Sequence, residues 1–192
     1  MEQRVRETTD HAVLAALYLR SALGVRDPRE LPPLRGVTPA ERDADVEVAR
    51  QWTEYWRMTV EPEAHPSDVP LELVPGFDTL VALPVTSQAL LAAAAPHADA
   101  ALDFVRRAHD RIRIGQRLRV DDPLAPYEGA IADEERRLGR PAHPFALRVQ
   151  VLPLTQRGIW WIGELTIAVT DGLRDDVAAF GKAIRPIIAD LV

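Results

Sequence analysis

The sequence predicts an α+β protein: a small, mainly antiparallel sheet with a carboxy-terminal β-hairpin over about residues 145–169, packed by about five to six helices. Two observations carry this. Apolar residues alternate along Phe145, Leu147, Val149 and Val151, and again along Ile159, Trp161, Leu165, Ile167 and Val169, which is the period of a half-buried strand. Elsewhere apolar residues recur every three or four positions between proline-rich breaks, which is the period of helices.

Taken in order, Asp10 as a cap and Gly24 as a stop bracket a helix over about residues 9–23, and its run AVLAALYL is apolar around most of the circumference, so it is expected to be buried. A proline-rich loop follows. Thr38-Pro39-Ala40-Glu41 reads as a capping box with proline at the first helical position, predicting a helix from there to about Met58. Trp52, Tyr55 and Trp56 fall on its inner face. After the loop 61–76, a short strand is expected at residues 71–74 and another at 79–85. Thr86 and Ser87 cap a helix through Ala95, and Pro96 starts one through Ile112. Residues 111–120 fit both a strand and a helical pattern; the reading adopted is helix to about Ile114. Pro126 and Gly139 bracket the next helix. Leu173, Val177, Phe180, Ile184, Ile188 and Leu191 mark a terminal one, with Pro186 expected to kink or divide it.

In the expected hairpin Gln156-Arg157-Gly158 forms the loop and Val149 pairs with Leu165, which makes Arg148 and Glu164 diagonal neighbours. Trp160, Ile162, Leu152 and Leu154 then share the second face. Because adjacent strand residues point to opposite sides, Trp160 and Trp161 need different covers, and a helix or a second subunit is expected over Trp160.

Composition narrows the chemistry. The 192 residues are expected to form a single domain spanning 1–192, soluble at a net charge of −6. No apolar run reaches membrane-spanning length and the first residues lack a signal-peptide core, so a cytoplasmic location is expected. The arginine excess, one lysine (Lys182) and no asparagine indicate a bacterium with a GC-rich genome. Without cysteine there is no disulfide, thiolate nucleophile or cysteine-ligated zinc. Only Ser21, Ser67 and Ser87 are available as serines, none in a nucleophile elbow, and neither a P-loop nor a dinucleotide fingerprint occurs.

What remains is a short set of candidates. His65 and Asp68, with His143 in a second loop, could act as acid–base groups if the fold brought them together; solvated loop residues are the plainer reading. No histidine pair has helical metal-site spacing, so neither a metal site nor a cofactor is assigned. Arg111, Arg113, Arg117 and Arg119 form a basic stretch that an anion could use, against which stand the acidic total and the neighbouring acids; nucleic acid is disfavoured. Trp160, Ile162, Leu154, Arg148 and Glu164 are candidates for an interface or pocket. The reading is therefore a non-catalytic interaction domain of an accessory, regulatory or immunity type, partnered by another protein or by itself as a homodimer. The alternative is a small-ligand-binding protein, or a metal or acid–base enzyme using the loop histidine and aspartate residues.

Overall fold

The computed structural model describes residues 4–118 and 122–192. Its class is α+β, as the alternating and helical periods require. Two compact units are present: residues 9–111, and a discontinuous unit made of the chain up to Thr8 together with the chain from Ile112.

In the unit of residues 9–111, helix α1 (His11–Ala22) begins at Asp10, whose carboxylate accepts the Ala12 N–H at 2.8 Å. Val13 to Leu17 are all buried, so the helix is enclosed as its composition demands. Helix α2 (Val46–Val60) starts later than the capping box predicts, with Asp45 as its cap. The amides of Ala40 and Ala44 instead bond to the carbonyls of Ser21 and Gly24 at 2.9 and 3.1 Å. These long-range bonds satisfy groups at the end of α1 and hold residues 40–44 out of the helix. The aromatic stripe is core: Trp52 stacks on Trp56 with ring centroids 5.5 Å apart, and its indole N–H donates to the Ala16 carbonyl at 3.0 Å. Gln51 is buried and accepts the Leu90 amide at 2.8 Å, fixing the start of α3 (Gln88–Ala94). Arg20 is also buried, donating to the carbonyls of Pro28 and Leu31 at 2.9 and 2.7 Å; it organises the proline-rich loop, and burial lowers its pKa. Strands β2 (Leu71–Leu73) and β3 (Ala82–Pro84) pair antiparallel. A 3-10 turn over Ala95–His97 leads into α4 (Ala98–Leu118), which settles residues 111–118 as helix, four residues beyond the predicted end.

The other unit holds a four-stranded sheet. Strand β1 (Arg4–Thr8) is a strand that no sequence signal announced. Next along the chain come α5 (Ala125–Leu138), β4 (Ala146–Leu152), β5 (Ile159–Trp161), β6 (Thr166–Thr170), the single turn α6 (Asp171–Arg174) and α7 (Val177–Leu191). The strand order is β1-β4-β6-β5, with β1, β4 and β6 parallel and only β5 antiparallel. The hairpin is thus β5 with β6, turned by residues 162–165. The predicted partnering of Val149 with Leu165 is replaced by Val149 opposite Ile167. Parity survives the change: Leu147, Val149, Ile167 and Val169 lie in one core with Tyr127, Phe180, Ile184 and Ile188. Period-2 alternation fixes which face a residue takes and says nothing of strand direction or neighbour. Helix α7 runs without division through Pro186. Among the described residues no helix is long and apolar enough to cross a membrane.

Two glycines give a backbone test. Gly24 (φ +74°) and Gly36 (φ +82°) are both left-handed, but a Cβ at Gly24 would lie 2.1 Å from the Arg42 carbonyl oxygen while one at Gly36 meets nothing. Gly36→Ala should therefore cost about 1–2 kcal/mol, the left-handed penalty alone, and Gly24→Ala clearly more; paired urea melts check this, and equal losses would refute it.

Candidate functional site

The site is built in the unit that contains the four-stranded sheet, where β1 and β6 end. Glu7, near the end of β1, and Arg174, at the end of α6, form an ion pair of 2.6 Å between Nε and Oε2, with both side chains nine-tenths or more out of solvent. Tyr127 of α5 donates its hydroxyl to the same carboxylate oxygen at 2.8 Å. The Arg174 Nη2 donates to the Pro123 carbonyl at 2.8 Å, and the guanidinium carbon sits 4.7 Å from the Phe180 ring centroid. Burial, with the Glu7 carboxylate second, pushes the Tyr127 hydroxyl well above its ordinary pKa, so it remains a proton donor.

Arg174 also lines a cavity of about 630 Å³ between α5 and α7, all of whose lining residues belong to this unit. The volume falls within the range of small-molecule sites, about 300–1,000 Å³. Its walls are short side chains: Ala125 and Ala130 on α5, Ala178 on α7, and the single glycine of each helix, Gly129 and Gly181. A Cβ built at either glycine meets nothing within 4 Å. Glycine inside a helix costs about 1 kcal/mol relative to alanine, and both glycines border this opening, where alanine would fit without a clash.

Among the described residues, the polar lining is Asp122, Arg174, Lys182 and Arg185. Asp122 turns its carboxylate to the Leu124 N–H at 2.9 Å, ahead of α5. Arg185 pairs with Asp133 at 2.8 Å, and Asp133 also pairs with Arg136, so two guanidiniums share one carboxylate. Lys182 faces Asp176, which already binds Arg157 at 2.7 Å and caps α7 through the Ala179 N–H at 3.0 Å. The cap, then Arg157, hold the Asp176 carboxyl below the usual range.

The residues singled out in the sequence fall elsewhere. His65 and Asp68 are exposed in the unit of residues 9–111, whereas His143 is exposed in the other unit. Among the described residues no three His, Asp or Glu side chains group so as to hold a metal ion. His109 instead meets His11 edge to face at 4.3 Å, where burial, then His109, lower the His11 pKa. Arg111, Arg113 and Arg117 are exposed along α4, and Arg119 lies outside the described residues. Of the interface candidates Leu154 is buried and offers no surface. Trp160 and Ile162 are half-buried, Arg148 is half-buried on β4, and Glu164 is exposed in the β5–β6 turn. The Trp160 indole folds back on its own loop, so a Cβ at Gly158 would lie 2.9 Å from it. On the second sheet face Leu152, Thr166 and Ala168 are fully buried, while Arg148, Trp160 and Ile162 stay half-buried. On the β5–β6 hairpin Trp161 and Leu165 are exposed, at 43% and 42%.

Sequence reasoning missed Glu7, Tyr127 and Arg174 as a set, since nothing local links positions so far apart; the interior glycines of α5 and α7 were the one legible hint. Comparison with protein-family models, curated proteins and solved structures finds no match to this chain.

Removing one partner of the buried pair strands the other charge. Arg174→Met should destabilise the fold by about 3–5 kcal/mol, and the double replacement Glu7→Leu/Arg174→Met should recover most of that loss. Guanidinium melts of the two variants check this; a double variant no better than the single would show that the pair itself, and not the uncompensated charge, sets the cost.

Proposed function

We propose that this chain is a small-ligand-binding protein whose site is the cavity between α5 and α7. One observation carries the reading: each of these helices has a single glycine, and both border one opening where an added Cβ meets nothing within 4 Å. The cavity also lies beyond the carboxyl ends of β1 and β6, where ligands bind in open sheets of parallel strands flanked by helices; that is a likeness of position, not of mechanism. Binding rather than turnover is the reading, because the carboxylate tied to the lining Arg174, that of Glu7, is engaged by Arg174 and Tyr127.

Filling the opening tests it. Gly129→Leu/Gly181→Leu should raise stability by about 0.5–1 kcal/mol per site through helix propensity, while abolishing the thermal shifts that members of a metabolite panel give with the unaltered protein. Shifts that persist in the filled variant, or a panel that gives none, would count against the cavity as the site.

A second reading is a homodimer or other protein complex through the β5 edge. The observation favouring it is the exposure of Trp161 and Leu165, diagonal neighbours on one face because Trp161 lies opposite Ile167. The half-buried Trp160 and Ile162 extend this edge. Light scattering over a concentration series should show a dimer that Trp161→Ser/Leu165→Ser converts to monomer; a protein monomeric at the highest attainable concentration would dismiss self-association.

A further inference from the structure

Resting on the cavity reading above, we infer that the ligand is an organic acid, a carboxylate or a phosphate monoester with an apolar body. The acid group is held by Lys182 and Arg185, and the body lies in the groove over Gly129 and Gly181. Lys182 and Arg185 are three residues apart on α7, so they stand on one face of the helix, and both line the cavity. Their charge is incompletely matched. Arg185 shares Asp133 with Arg136, and the acid nearest Lys182, Asp176, is already engaged by Arg157 and the helix cap. Among the described residues Lys182 forms no ion pair.

The remaining charged lining groups leave this pair as the anchor. Asp122 commits one carboxylate oxygen to the Leu124 N–H ahead of α5, and Arg174 is neutralised by Glu7, with Nε and Nη2 both committed. Among the described lining residues, the α7 side of the cavity thus presents two cations, Lys182 and Arg185. The first turns of α5 and α7 add to the preference: Ala125, Pro126, Val177 and Ala178 all border the cavity, so the positive end of each helix dipole lies close to it. The rest of the wall is alanine, proline, valine and glycine, which suits a hydrocarbon chain and gives no hydrogen bonds to a polar one.

Calorimetric titration with octanoate, octyl phosphate and octanol, which share one apolar body, tests the inference. Both acids, or one of them, should bind at least tenfold more tightly than octanol, and Lys182→Gln/Arg185→Gln should bring the acids to the level of the alcohol. The acid that binds better names the head group. Equal binding of all three, unchanged in the glutamine variant but lost in Gly129→Leu/Gly181→Leu, would overturn the acid assignment and leave the cavity reading intact. Failure of every probe, or binding that the leucine variant retains, would overturn both. Lys182 and Arg185 lie on the exposed side of α7, the latter at 64% side-chain exposure, so the glutamine variant is expected to fold.

Discussion

A single desolvated ion pair constrains the unit that contains the site. Glu7 and Arg174 are almost as far apart in the chain as its length allows, and both side chains are nine-tenths or more out of solvent. Each alone would be a severe penalty in the core, so β1 is acceptable in the sheet only where Glu7 meets the guanidinium. That requirement sets the position of β1 against β4, with Glu7 opposite Val149. It also fixes the turn α6, and through Tyr127 and the Pro123 carbonyl it anchors the beginning of α5. Phe180 closes the cluster from α7, contacting the guanidinium face and the edge of the Tyr127 ring.

With their first turns tied to one cluster, α5 and α7 run side by side over the apolar face of the sheet. Farther into the sheet they are held by Ile131, Ile184 and Ile188. Between them lies a cavity bordered by Ala125, Gly129 and Ala130 of α5 and by Ala178 and Gly181 of α7. A methyl group could stand at either glycine without a clash, since a Cβ built at Gly129 or Gly181 meets nothing within 4 Å. Stability given up at two helix positions bordering one opening is the pattern expected where a site must stay open. Along that opening stand two cations, Lys182 and Arg185, beside acids that are shared or capped.

Several parts of this arrangement were legible beforehand. The alternation of Leu147, Val149, Ile167 and Val169 gave the buried face of the sheet, and the spacing of Phe180, Ile184 and Ile188 gave the face of α7 that meets it, because both depend only on local period. Trp52 and Trp56 were readable as core for the same reason. The start of α2 was misread because the amides of Ala40 and Ala44 have partners at the end of α1, a long-range competition that a capping motif does not reveal. Strand β1 was not legible at all. Its one core residue, Val5, is too little pattern to distinguish a strand from a loop.

By itself, then, the sequence determined the class of fold, the inward faces of its long elements and the exclusion of cysteine and P-loop chemistry, since these follow from residue types and local periodicity. Only the tertiary structure decided that β4 and β6 run parallel, that Trp161 rather than Leu154 is exposed, and that Glu7, Tyr127 and Arg174 meet beneath a cavity. Strand direction, partner choice and the neutralisation of a buried charge are settled by residues distant along the chain, and no local pattern encodes them.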